Sequence, residues 1–320
     1  MPLVRVPRYL PGCVTIDAMT DLVHPPLDPT ARARLSLEGL ATGDAFGETL
    51  FRYRSQVRTM AEARTPAPGP WPWTDDTAMA ISIVEELEQH AAIDQDALAT
   101  RFGRRYRAEP ARGYGGGAHR LLERISNGEP WKPAARAMFG ATGSYGNGSA
   151  MRVAPIGAGF ADDLDAVVVQ ASRSAEGTHA HPEGEAGAIA VAVAAALAWR
   201  TRPGRWDGPD FLAAGIERTP ASETRSGIDR AAQLAAGTSP EDAAAILGCG
   251  HRVSAQDTVP FSLWCVAQDP DDFEGTLWTT GRGLGDVDTT CAIVGGITVL
   301  RTGMDAIPKA WLDAREPLPA

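Results

Sequence analysis

Apolar residues recur at helical spacing along most of the chain. Met79, Ile83, Val84 and Leu87 share one face after Thr74, and Leu98, Phe102 and Tyr106 repeat the interval. Leu212 with Ile216, and Ala232 with Leu234, continue it. Residues 188–198 (AIAVAVAAALA) are apolar all round, as a helix buried on every side must be. That run is far shorter than the roughly 20 apolar residues a bilayer span needs. Alternating patterns bounded by turns, the mark of strands, are hard to find. Pro/Gly punctuation at 64–73 (RTPAPGPWPW), 113–117 (GYGGG) and 201–210 (TRPGRWDGPD) separates the helical stretches. The pattern predicts an all-α, single-domain helix bundle with long functional loops. Prolines among the first residues predict an extended N-terminal arm over 1–30, ahead of a domain over 31–320.

Composition narrows the function classes. There are 40 acidic and 30 basic residues, a formal net charge of −10, so non-specific attraction to nucleic acid is not expected. An acidic protein that handles an anion needs bridging cations or donor-rich loops. Cys13, Cys249, Cys265 and Cys291 are widely and irregularly spaced, which suggests neither a zinc site nor a disulfide framework. The N-terminus lacks the long apolar core of a secretion signal, and with no membrane span the expected location is cytoplasmic.

Four segments offer chemistry. In 71–87 (WPWTDDTAMAISIVEEL), Thr74 is placed as an N-cap with Asp75 and Asp76 in the first helical turn, where the dipole favours anions. In 283–300 (GLGDVDTTCAIVGGITVL), Asp286, Asp288 and Thr289 crowd a second helix start, and the following apolar, Gly-containing run predicts a buried helix lying close to a neighbour. A cap uses one side-chain oxygen, yet four carboxylates and two hydroxyls are on offer. Such an all-oxygen set suits a hard divalent cation, provided the fold brings the two segments together. In 139–157 (FGATGSYGNGSAMRVAPIG), glycines bracket Ser144, Tyr145, Asn147 and Ser149; the loop is either a flexible turn or a cradle of backbone N–H groups for an anion. In 176–194, His179 and His181 precede the Ala-rich helix, and they either bind a ligand or cap it, as Pro182 at the helix start suggests.

Taken together and in order, GDAFG (43–47), WTDDTAM (73–79), RGYG (112–115), GSYGNGSAMRVAPIG (143–157), THAHPE (178–183) and DVDTT (286–290) resemble the ADP-ribosylglycohydrolase family. The resemblance covers residues 36–300, and its most specific parts are the long Gly-rich run and the two acidic motifs. It implies an all-α orthogonal bundle with a dinuclear Mg²⁺ or Mn²⁺ centre. The implied metal ligands are Thr74, Asp75, Asp76, Asp286, Asp288 and Thr289. Gly143, Ser144, Tyr145, Gly146, Asn147 and Gly148 would hold the diphosphate and ribose of ADP-ribose. Phe139 would lie under the adenine with Tyr145 completing a sandwich, and His179 would contact the distal part of the ligand. Arg112, Gly113 and Tyr114 would line another wall.

The implied reaction is hydrolysis of the glycosidic bond between ADP-ribose and an acceptor, a protein side chain or small molecule, through an oxocarbenium-like transition state. Asp75, Asp288 and Glu48 are the candidate catalytic carboxylates. Some relatives carry a functional Glu four residues beyond the last Gly of the GDxxG motif. Here that position is Phe51, while Glu48 directly follows Gly47; either Glu48 reaches the site from a reshaped loop, or the general base is absent. Asp44 reads as structural, beneath the metal loops. Two rival readings stand beside the glycohydrolase: a Mg²⁺-dependent pyrophosphohydrolase, which would release AMP, and an ADP-ribose-binding module without turnover.

Overall fold

Helix starts are set by local side chains. In the computed structural model, which describes residues 27–202, 204 and 206–319, Asp28 accepts from Ala31 N at 2.8 Å and Asp94 from Ala97 N at 2.9 Å. Asp163, Asp207, Ser222, Ser239 and Asp272 cap later helices in the same way. The described residues form 17 α-helices and three short 3-10 helices, with no strand. Residues 1–26 of the expected 1–30 arm, Cys13 among them, lie outside the described residues, and the first helix begins within that stretch, at Pro29.

The most extensive helix–helix contact joins the Pro29–Leu50 helix to the Val287–Thr302 helix. Glycines at 39, 43 and 47 put one backbone directly against the other. A Cβ on Gly43 would collide with Cys291 O and lie 2.7 Å from Cys291 C, and one on Gly47 would lie 2.7 Å from Asp288 Cα. Ser36 Oγ donates to Gly296 O at 2.8 Å across the same seam. This close approach, expected from the Gly-containing run after Asp288, carries residue 44 to the mouth of the Val287 helix.

The Ala-rich helix Pro182–Arg200 runs through the core, buried from Ala186 to Ala196. No described helix is long and apolar enough to cross a membrane. Leu98, Phe102 and Leu212 are buried as their spacing requires, whereas the Glu223–Ala232 helix stops short of Leu234, beside a turn with Gly237 at φ +81°.

Phe46, Trp71, Trp278 and Trp311 close one end of the seam, with Phe46 stacked on Trp311 at 4.5 Å. Trp71 is therefore a packing residue. Its backbone is clasped by the C-terminal tail: Trp71 N donates to Ala314 O at 2.7 Å, and Glu316 N donates to Trp71 O at 2.8 Å. Cys249, Cys265 and Cys291 are free, buried thiols.

Candidate active site

Asp44 is the keystone of the first acidic motif. It is fully buried in the helical seam and accepts from Thr74 N at 2.9 Å, Thr74 Oγ1 at 2.9 Å, Thr77 N at 3.1 Å and Thr77 Oγ1 at 2.5 Å. These bonds fix the start of the Asp75–His90 helix and aim Asp75 and Asp76 at the start of the Val287–Thr302 helix. Burial raises the Asp44 carboxyl to about 6 despite the hydrogen bonds. Its role is structural, as expected.

Asp75, Asp76, Asp286, Asp288 and Thr289 line one cleft of about 530 Å³. The fold thus joins two motifs far apart in sequence. Thr74 sits just behind them, capping Asp76 N and touching Asp76 Oδ2 at 2.9 Å. The Thr74 hydroxyl has one proton and Asp44 competes for it, so the Asp76 contact is a hydrogen bond only when that carboxyl is protonated. Burial favours that state: it raises Asp76 and Asp288 well above the ordinary value, and the neighbouring carboxylates add to the shift. Burial, then Asp44, raises Asp75 to about 8, while burial also raises Asp286.

A cluster this costly calls for a counter-charge. Among the described residues no three His, Cys, Asp or Glu groups stand close enough together to hold one ion. The donor chemistry nevertheless fits a hard cation. Asp76 Oδ1 and Asp288 Oδ1 are buried with no hydrogen-bond partner, which is expensive for a carboxylate oxygen unless a cation meets it.

The Gly-rich loop forms the opposite wall. Ser144, Tyr145, Gly146, Asn147 and Gly148 line the cleft, with Gly143 at φ +78° entering the loop beside Ala180. The loop is tied to the acidic wall: Asn147 Nδ2 donates to Asp286 Oδ2 at 2.7 Å and to Thr258 Oγ1 at 3.0 Å. His179 also lines the cleft, and a Cβ on Gly148 would lie 3.0 Å from its Cε1, so only glycine lets the loop lie on the ring. Arg152 Nη2 donates to Thr178 Oγ1 at 2.8 Å, and that hydroxyl lies 2.7 Å from His179 Nδ1. The other ring nitrogen, Nε2, faces the loop, 3.2 Å from where a Cβ on Gly146 would lie. Burial and then Arg152 push His179 down to about 3, so the ring is neutral. His181 instead caps the Pro182 helix, accepting from Glu183 N at 3.1 Å.

Phe139 lines the mouth in a left-handed conformation, φ +51°, and is half exposed; Tyr145 across from it is also half exposed. A non-glycine residue held at positive φ is strained, and such strain clusters at ligand clamps.

Three expectations are corrected. Arg112 does not line the cleft: its guanidinium makes two 2.7 Å bonds to Glu316, pairs with Glu109 and lies 3.5 Å above the Trp73 ring. Tyr114 is buried edge-on against Tyr106, and the wall is made by Gly113 and Gly115 to Gly117 instead. Glu48 lies in the last turn of the Pro29–Leu50 helix, not in a reshaped loop, and does not line the cleft. It is half-buried, with its carboxyl raised by burial, and its charge in turn raises Asp288. Phe51 lies under the Arg54 guanidinium at 4.9 Å, and Arg54 donates to Gly285 O at 3.2 Å.

Sequence reasoning missed two contributors. Arg152 is fully buried yet lines the cleft, donating to Ser174 O at 2.9 Å and stacking on Phe102 at 4.5 Å. An arginine amid the apolar AMRVAPIG run was the available signal. Arg252 and Val253 bring a wall from a loop that no motif marked.

Comparison with known proteins agrees with this architecture. The sequence profile described as ADP-ribosylglycohydrolase matches residues 25–318. Human ADP-ribosylhydrolase ARH3 is 32% identical over 274 residues, covering 76% of this chain and 74% of that protein. ADP-ribosylhydrolase ARH3 of Gallus gallus is 30% identical over 330 residues, 88% of each. A solved structure described as an ADP-ribosylglycohydrolase-related protein complex superposes with a TM-score of 0.60 at 25% identity, over 90% of this chain and 93% of that one. On the profile match and these relatives, the chain belongs to the ADP-ribosylglycohydrolase family and is a glycohydrolase enzyme.

Proposed function

We propose that the protein is a metal-dependent hydrolase that cuts the glycosidic bond between ADP-ribose and an acceptor group, releasing ADP-ribose. The observation that carries this is the convergence of two acidic helix starts and a Gly-rich loop on one cleft. Thr74, Asp75, Asp76, Asp286, Asp288 and Thr289 would hold two Mg²⁺ or Mn²⁺ ions. Bound there, the cations would supply Lewis acidity and charge neutralisation for a dianionic ligand.

The chain's own residues do the rest. Amides of residues 144, 145, 147 and 148 hold the diphosphate, those of Gly143 and Gly146 being bonded already to Met138 O and Ser144 Oγ, while Phe139 and Tyr145 flank the adenine. His179, neutral and with Nε2 facing the loop, serves as a hydrogen-bonding group that costs no charge. Asp75 and Asp288 line the cleft; ionised once cations are bound, they would offset positive charge developing at the anomeric carbon, and one of them would accept the proton of the attacking water. Glu48, whose charge reaches Asp288 from the end of the first helix, acts beside it. The substrate is ADP-ribose linked to a protein side chain or small molecule, with neither a membrane nor bulk nucleic acid as partner.

The test is incubation with arginine- and serine-ADP-ribosylated proteins, with Mg²⁺ or with chelator, and mass spectrometry of the products. Intact ADP-ribose released only with Mg²⁺ is expected. AMP as product would replace this reading with pyrophosphate cleavage, and metal-independent release would remove the cations from the mechanism. If Glu48→Gln turns over at the wild-type rate, Glu48 has no part in the reaction.

A further inference from the structure

The loop from Gly248 to Ser254 is fixed at three points. Gly250 N donates to Asp257 O and Arg252 N to Asp257 Oδ2, each at 2.7 Å. Asp286 N donates to Cys249 O at 3.0 Å, which ties the loop to the acidic cluster. Ser254 forms a β-bridge with Gly146, and Ala255 N donates to Tyr145 O at 3.0 Å, which ties it to the Gly-rich loop. Held this way, Val253 sits at φ +51°, a conformation a β-branched residue rarely adopts, and stays more than half exposed. The distortion turns residues 252 and 253 onto the cleft wall rather than into the core.

Arg252 is the cation this wall presents. Among other arginines near the cleft, Arg112 is engaged by Glu316, Arg105 by Glu85, and Arg152 by Ser174 O and Thr178, while Arg120 lies over the Phe139 ring at 5.9 Å, away from this wall. The Arg252 side chain is exposed and makes no hydrogen bond or ion pair with any described residue, in a chain of net charge −10. An uncommitted guanidinium next to a loop that offers backbone amides is matched to a phosphate, whose oxygens accept two parallel N–H bonds.

We propose that Arg252 binds a phosphate oxyanion of the nucleotide substrate and is a specificity-determining residue of the cleft. The inference rests on the cleft taking an ADP-ribosyl group. The phosphate is either the diphosphate beside the Gly-rich loop or a phosphate on the adenosine ribose, and the ligand series separates them.

The experiment is calorimetric titration of wild type, Arg252→Ala and Arg252→Lys with ADP-ribose, 2′-phospho-ADP-ribose and adenosine, at low and high salt. Arg252→Ala is expected to weaken a phosphate-bearing ligand about tenfold, with a shallower salt dependence and unchanged adenosine binding. Arg252→Lys should recover part of the loss. Loss with both phosphate-bearing ligands assigns the contact to the diphosphate, and loss confined to the 2′-phosphate ligand assigns it to the adenosine ribose. Unchanged affinity for both overturns the proposal, as does an equal loss for adenosine, which would mean a distorted loop. If wild type binds no ADP-ribose, the functional reading itself fails, a result distinct from wild-type binding that ignores Arg252.

Discussion

Substituting Gly43 with alanine tests the seam that builds the site. The new Cβ would strike Cys291 O and stand 2.7 Å from Cys291 C, against an ordinary carbon–carbon contact of roughly 3.5–4 Å. Both partners are backbone atoms in the middle of helices, so no side chain can rotate away. The helices must part by roughly 1 Å, and overpacking of this kind costs about 3 kcal/mol. Alanine recovers about 1 kcal/mol through its better helix propensity. The net loss is about 2 kcal/mol, which in a domain this large lowers the melting midpoint by about 3 °C. Asp44 follows directly, so Asp76 and Asp288 should separate as well, and cation affinity should fall with stability. Gly215→Ala is the control: its Cβ meets nothing within 4 Å, so the same exchange should stabilise by up to ~1 kcal/mol. Urea unfolding of both variants and calorimetric Mg²⁺ titration give the answer. A Gly43→Ala protein as stable as wild type, with unchanged Mg²⁺ affinity, would refute the argument that backbone contact sets the site.

Other outcomes follow from the same geometry. Asp75 is raised from 3.8 to about 8, so the folded state keeps its proton longer than the unfolded chain. In chelator, the stability of wild type relative to Asp75→Asn should therefore fall as pH rises across that window and level off above it, as pH-dependent urea unfolding would show; a rising difference would contradict the burial argument. Mg²⁺ at about a hundred times its dissociation constant should stabilise wild type by about 2.7 kcal/mol and Asp288→Asn far less, read as a thermal shift. Arg112→Lys should lose ~1 kcal/mol in urea unfolding because an ammonium cannot make the paired bonds to Glu316 or stack on Trp73, and wild-type stability would show that the planar fork is idle.

The helical class was legible because half-buried helices impose a 3.6-residue period, as at Met79, Ile83, Val84 and Leu87, while residues 188–198, apolar all round, mark a helix buried on every side. The acidic motifs were legible because Asp75, Asp76, Asp286 and Asp288 exceed what capping needs. Arg112 and Tyr114 misled because position in a motif does not say which way a side chain turns; Gly113, at φ +88°, directs the backbone along the cleft while its neighbours pack behind it. Glu48 misled because the first helix runs on to Leu50, held by the glycine seam, where a loop was expected. Arg252 and Val253 left no local mark, since their exposure depends on Asp257 and on a bridge to Gly146, over 100 residues earlier.

The glycine seam also fixes when the site can exist. The Ser36–Gly296 hydrogen bond closes a span of 260 residues, a contact that pays its loop-closure entropy before it returns any stability. Until the Val287–Thr302 helix docks, Asp75 and Asp76 have no second half, and a partly folded chain holds no more than isolated carboxylates. A cation held by both halves, as proposed, would not nucleate this fold; it would arrive last and bind only a finished molecule. Its grip would then be a sensitive gauge of how completely the chain has folded.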